Sequence, residues 1–156
     1  MNIAMNNIKY LLVIPCSKRK INIFENEVPA LDLYDGPFFR IIRKLFREYR
    51  KLDNLDIVII SAKYGLITSE TFIKNYDLLM TINIAKRLNG DLCRKLSHIV
   101  NVGNYNEIFF NIGKIYHEAI KGWETSAVTK AKTIYIQGGI GSRAKQMRDW
   151  LLDKVE

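Results

Sequence analysis

The chain has 156 residues, 48% of them hydrophobic and 26% charged, and its 24 Lys and Arg exceed its 16 Asp and Glu by eight charges. A chain of this length builds one core without disulfides or structural metal, its apolar content excludes intrinsic disorder, and no apolar run approaches the roughly 20 residues that span a bilayer. The positive excess favours a polyanionic partner such as DNA, RNA or a nucleotide.

The opening MNIAMNNIKY lacks the charged, apolar and small-residue order of a secretory signal, which predicts a cytoplasmic protein with no membrane attachment. Cys16 and Cys93 form no CxxC, and His98 and His117 are the two histidines, too few ligands at useful spacing for a disulfide framework or a zinc site. No metal and no cofactor are expected, and residues 1–156 read as a single α/β domain.

In chain order, short continuous apolar runs rich in β-branched and aromatic residues occur at Tyr10 to Ile14, Asp56 to Ile60, Glu107 to Ile112 and Thr133 to Ile136. Such runs predict strands buried on both faces. Helical periodicity fills the intervals at Phe38 to Lys51, Ile82 to Ile99, Lys114 to Lys121 and Ser142 to Lys154. The alternation predicts a three-layer α/β/α fold around a mainly parallel sheet of about four strands, with ligands collecting beyond the carboxyl ends of the strands.

The first strand runs into Pro15-Cys16-Ser17-Lys18-Arg19-Lys20, a thiol, a hydroxyl and three cations in one loop. Basic neighbours there activate a thiol and equally cradle a phosphate, while a free Cys at a strand end is also an ordinary small buried hydrophobe. After Pro37, Ile41, Ile42, Leu45, Phe46, Tyr49 and Leu52 make an apolar stripe, and Arg40, Arg43, Lys44, Arg47, Arg50 and Lys51 fill the opposite face. That basic face reads either as a contact for nucleic-acid backbone or as a solvated surface.

The second strand is followed by Ser61-Ala62-Lys63-Tyr64-Gly65, where Gly65 can take positive φ, and then by Tyr76 and Asp77. Tyr64 and Tyr76 offer ring faces with polar tips, as base pockets require. After the third, Gly113 leads into a helix carrying Tyr116 and His117, neither assigned a role. The fourth runs into Gln137-Gly138-Gly139-Ile140-Gly141-Ser142, glycines that feed a helix with Ser142 as its expected N-cap. Open backbone N–H groups there make an anion site or a plain helix entry.

Together, Pro15-Cys16-Ser17-x-x-Lys20, Ala30-Leu31-Asp32-Leu33-Tyr34-x-Gly36, Ile60-Ser61-Ala62-Lys63-Tyr64-Gly65-Leu66-Ile67 and Tyr76-Asp77-x-x-Met80 resemble a small uncharacterised family of archaea, bacteria and phages. The PCSxxK part is similar to the core domain of archaeosine synthase, which adds lysine to a 7-cyano-7-deazaguanine base in tRNA. The Tyr-Gly-Leu part is similar to the YaaA-type peroxide-stress proteins, which bind DNA. The resemblance implies a fold like that of uracil-DNA glycosylase and a nucleic-acid base-modification domain, a 7-deazaguanine-type base transferase or a glycosylase-like enzyme. In that reading Cys16, Ser17 and Lys20 surround the reacting centre, with Asp32 or Asp77 as general base. Lys18 and Lys63 meet phosphate, Tyr34, Ser61, Tyr64, Gly65 and Tyr76 shape the substrate pocket, and Gly138, Gly139, Gly141 and Ser142 add phosphate donors. A non-catalytic DNA- or RNA-binding module of a stress or defence system, using Arg40, Arg43, Arg47 and Arg50, is one alternative. A free-nucleotide hydrolase or transferase is another. The chain is short beside both families, which leaves a partner subunit or a homo-oligomer open.

Overall fold

The computed structural model describes residues 8–50 and 52–155, so residues 1–7 of the N-terminal stretch and Lys51 of the basic face lie outside the described residues. The elements are β1 (Tyr10–Pro15), β2 (Val28–Pro29), α1 (Ala30–Leu33), α2 (Pro37–Tyr49), β3 (Leu55–Ser61), β4 (Gly65–Thr68), β5 (Phe72–Ile73), α3 (Ile82–Gly103), β6 (Glu107–Phe110), α4 (Lys114–Ile120), a 3-10 turn (Trp123–Ser126), β7 (Lys132–Tyr135) and α5 (Ile140–Lys154). A five-stranded sheet runs β4-β3-β1-β6-β7, and a separate two-stranded ribbon joins β2 to β5.

The four strands anticipated from the apolar runs are all parallel to one another, with β1 between β3 and β6. Side chains alternate along β1. Leu12 and Ile14 face α1, α2 and α5 on one side, and Leu11 and Val13 face α3, α4 and the 3-10 turn on the other. Both faces are therefore covered, which is why the runs are continuous rather than alternating. Pro37 opens α2 at a first-turn position where its missing N–H costs nothing, and the Thr81 side chain caps α3 by accepting the Ile84 N–H.

The fifth strand, β4, is a correction to the four-strand expectation. It returns antiparallel along β3, with Ser61 opposite Gly65 across a three-residue turn. Gly65 has φ +75°, a left-handed conformation suited to closing such a hairpin. Because the chain leaves β1 towards β3 and leaves β6 towards β7, their connections diverge. The switch point therefore falls at the carboxyl ends of β1 and β6, where doubly wound sheets take ligands in a crevice. Among the described residues no helix is long and apolar enough to cross a membrane.

Candidate functional site

Cys16 follows β1, its N–H still bonded to the Ile60 carbonyl of β3 at 3.0 Å. Its half-buried Sγ lies 3.3 Å from the Tyr116 hydroxyl of α4. Ser17 turns the other way. Its Oγ donates to the Arg19 carbonyl at 2.6 Å and accepts the Gly36 N–H at 3.3 Å, bracing the loop rather than presenting a nucleophile. A Cβ on Gly36 would come within 2.9 Å of the Ser17 Cβ, so the serine and the glycine belong to one contact.

Ser61, at the end of β3, is the hub of the site. Its Oγ accepts the N–H groups of Lys63 at 3.3 Å and Tyr64 at 3.0 Å, closing the hairpin. The same Oγ lies 3.2 Å from the Tyr34 hydroxyl and 3.1 Å from that of Tyr76, and the two phenols are 2.7 Å apart. Burial pushes Tyr34, Tyr76 and Tyr116 well above the ordinary phenol range, so all three act as neutral hydroxyls. The Tyr64 ring meets the Tyr76 ring edge-on with centroids 5.4 Å apart, and its hydroxyl donates to the Lys74 carbonyl at 3.0 Å.

Two lysines lie over this aromatic cluster. Backbone pairing of Lys20 with Tyr34 carries the Lys20 Nζ to 4.3 Å from the centre of the Tyr76 ring. Lys63 stands 5.4 Å from the Tyr64 ring and 5.8 Å from that of Tyr76. Burial lowers the Lys20 pKa against the opposing pull of Cys16 and Asp77. Among the described residues neither lysine has a carboxylate oxygen within ion-pair distance, although Asp35, Asp56, Asp91 and Glu107 all hold cations elsewhere.

The third part of the site lies at the ends of β6 and β7. Arg143, in the first turn of α5, is 9% exposed. Its Nη1 donates to the Oδ1 of fully buried Asn111 at 3.1 Å, its Nε donates to the Gly138 carbonyl at 3.2 Å, and its plane lies 5.2 Å from the Phe38 ring centre. The expected Ser142 cap is a correction. Gly138, at φ +112°, turns the chain so that Gly139 is the N-cap and α5 begins at Ile140. Ser142 therefore sits inside the helix, its Oγ accepting from Gln146 at 3.1 Å.

The structure thus gathers Cys16, Lys20, Tyr34, Ser61, Lys63, Tyr64, Gly65 and Tyr76 around one end of the sheet. Exposed Asp77 is in electrostatic reach of Lys20, Lys18 is exposed with its carbonyl accepting from the Lys20 Nζ at 3.3 Å, and exposed Asp32 on α1 joins the cluster through no hydrogen bond or ion pair. Gly138, Gly139 and Gly141 are exposed at the α5 entry. Of the four arginines expected to meet backbone, Arg47 on α2 and Arg50 at its C-cap face solvent, whereas Arg40 pairs with Asp35 at 3.0 Å and Arg43 turns inward. Arg43 donates to the Leu31 and Tyr34 carbonyls at 2.7 and 2.8 Å and to Asp35 at 2.6 Å, taking up carbonyls that the single-turn α1 leaves open. Sequence reasoning gave no role to Tyr116 and did not find Asn111 or Arg143. The available signal was an asparagine inside an otherwise apolar strand run and an arginine directly after a glycine loop.

A concavity of about 560 Å³ lies at the opposite, amino end of the sheet, between Asn104–Asn106 and Val128–Lys130. Among the described residues no three His, Cys, Asp or Glu side chains gather in a way that would hold a metal ion.

A family described as "Family of unknown function (DUF6884)" matches residues 11–149. No curated protein matches the sequence. A solved structure described as "Crystal structure of AF0587, a protein of unknown function" is similar with a TM-score of 0.54 and 15% sequence identity, covering 96% of this chain and 45% of that one. At that identity the likeness concerns the fold, and the chain spans a little under half the length of that structure.

Proposed function

Because the chain belongs to the DUF6884 family, whose function is unknown, we propose its activity from its own geometry: a nucleic-acid base-modifying domain whose strand-end cluster takes one nucleotide unit. The observation that carries this reading is Lys20. It is a half-buried amine of lowered pKa, held 4.3 Å over Tyr76 with no ion-paired carboxylate among the described residues. An amine of this kind is easier to deprotonate than a surface lysine, as a nucleophile or proton carrier requires, and it retains affinity for an anionic ligand. Tyr64 and Tyr76 supply stacking edges for a base, and exposed Lys63 and Lys18 supply charge for phosphate.

Within this reading Ser61, Tyr34 and Gly65 hold the rings and the hairpin in position, Ser17 holds the loop, and Cys16 and Lys20 flank the reacting atoms. Asp77, exposed and in electrostatic reach of Lys20, is the acidic side chain beside them and the candidate general base for water. Transfer to a 7-deazaguanine-type base or a glycosylase-like exchange both suit such a pair, in keeping with the motif resemblance and with a parallel strand order that places the first strand between the second and third. A module that only grips backbone through α2 draws less support, since Arg40 and Arg43 are committed to Asp35.

The test is single-turnover assay and equilibrium binding on tRNA and single-stranded DNA bearing guanine or 7-deazaguanine bases. Lys20→Ala is expected to slow turnover about 100-fold or more while weakening binding far less. Unchanged turnover in both Lys20→Ala and Cys16→Ala, or no saturable binding of either polymer, overturns the reading.

A further inference from the structure

Arg143 presents a problem of charge that the base-handling lysines do not explain. A guanidinium is protonated at any physiological pH, and taking it out of water without a counter-charge is unfavourable. Proteins usually resolve this with a carboxylate. Here the partners are neutral: the Asn111 side-chain carbonyl, the Gly138 backbone carbonyl and the face of Phe38. Among the described residues no acidic side chain stands within ion-pair distance of Arg143, and Nη2 meets no hydrogen-bond acceptor.

The unused Nη2 faces a residue without a side chain. An added Cβ on Gly113, the residue that leads from β6 into α4, would lie 3.7 Å from Nη2. Gly113 has φ −86° and ψ −177°, extended backbone that any residue adopts, so the chain's conformation does not call for glycine there. What its lack of a side chain provides is room beside the guanidinium. The orientation is fixed by two hydrogen bonds and the face of Phe38. Asn111, which also donates to the Met147 sulfur at 3.3 Å, holds Nη1, while the positive φ of Gly138 presents its carbonyl to Nε. The guanidinium consequently lies beside the loop that opens the 15-residue α5, where the first N–H groups have no intrahelical acceptor and Gly139, Ile140 and Gly141 are exposed.

We propose that Arg143 anchors a phosphate group in the crevice between the carboxyl ends of β1 and β6, with Nη2 and the open N–H groups at the start of α5 as donors and Gly113 as the space the phosphate enters. The charge of Arg143 reaches Tyr116 and His117, and Tyr116 in turn touches Cys16, so a group carried on that phosphate stands next to the thiol. The phosphate site rests on the arginine alone. That the phosphate belongs to a nucleotide rests on the base-handling reading above.

The experiment titrates the full chain with inorganic phosphate, a nucleoside 5′-monophosphate and a single-stranded oligonucleotide, following thermal shift and calorimetric affinity. Inorganic phosphate should raise the Tm saturably. Gly113→Ala fits the extended backbone and should leave the ligand-free Tm unchanged while weakening phosphate about tenfold, the loss of one charge-assisted hydrogen bond. Arg143→Lys keeps the charge but loses the fork and should weaken it at least as much. Tighter binding of the monophosphate than of phosphate assigns the site to a free nucleotide end, and tighter binding of the oligonucleotide alone assigns it to polymer backbone. Phosphate affinity that is the same in wild type and a folded Gly113→Ala, or no phosphate binding at all, overturns the anion site. If oligonucleotide binding and Lys20-dependent turnover survive that result, the functional reading stands without it. Gly113-dependent phosphate binding with no preference for any nucleotide leaves the anion site intact and removes the nucleotide.

Discussion

The two ends of the sheet handle charge in opposite ways. At the amino ends, Asp56 of β3 takes Lys9 at 3.3 Å and the Tyr105 hydroxyl at 2.6 Å, and Glu107 of β6 takes the Trp150 indole at 3.1 Å and the Lys154 ammonium at 2.9 Å. Both of these carboxylates hold a cation. At the carboxyl ends Lys20, Lys63 and Arg143 lie over rings or against neutral oxygens, with no carboxylate in ion-pair distance among the described residues. The 560 Å³ concavity belongs to the amino end. Charge compensation, rather than the size of a hollow, separates an end built for stability from one that leaves cations open to an anion.

The sharpest test of that division is a pair of truncations measured by urea unfolding. Glu107→Ala strands Lys154, whose side chain is 8% exposed and which, among the described residues, keeps only the exposed Asp153 as an ionic partner, and should cost about 2 to 3 kcal/mol. Lys20→Met retains the buried stem and removes an uncompensated charge, so stability should hold or rise while turnover falls. Equal losses in the two variants would erase the distinction.

A smaller contrast lies within α2. Arg43→Ala removes three donated bonds that tie α2 to α1 and Asp35, and should cost about 2 kcal/mol. Arg47→Ala, on the exposed side, should stay within about 0.5 kcal/mol. Thermal unfolding of the two variants side by side checks this, and an equal effect would mean that α2 presents one uniform basic surface after all.

The α2 contrast also marks how far the sequence could be read. The parallel strands were legible because Leu11 to Ile14 and Ile57 to Ile60 are apolar at every position, the mark of a strand covered on both faces. β4 was not, since Gly65-Leu66-Ile67-Thr68 carries too short a pattern to separate a returning strand from a turn. Of the site, the residues in the PCSxxK and SAKYGL motifs converge, because each motif is a strand end plus the loop that leaves it. Arg143 and Asn111 escaped because a contact between residues 32 apart leaves no spacing to read. A helical wheel likewise counts Arg43 as solvated, and its inward turn depends on carbonyls of a neighbouring helix that periodicity does not register.

The smallest effect, and the one that separates the two ends without truncating a structural pair, is the pH dependence of stability. Burial would raise the Glu107 carboxyl, but hydrogen bonds from Lys154 and Trp150 together with the charges of Lys154 and Lys132 bring it below its usual 4.5. A carboxylate depressed in the folded state contributes stability above its unfolded pKa and loses it as pH falls through the folded one. The Tm of the wild type should therefore decline more than that of Glu107→Gln as pH drops below 4.5. Lys20 has the reverse sign. Burial disfavours its charged form, so its unfavourable contribution is full at neutral pH and is relieved as pH rises from its lowered pKa towards 10.5. The buried tyrosines Tyr34, Tyr76 and Tyr116 pull the other way above about pH 10, since the folded state resists their ionisation. The difference between wild type and Lys20→Met removes that shared background. It should move in favour of the wild type with rising pH, giving the amino end an acid signature and the carboxyl end an alkaline one. A flat difference would mean that Lys20 is solvated like any surface lysine, and the strand-end cluster would lose the residue on which its proposed chemistry depends.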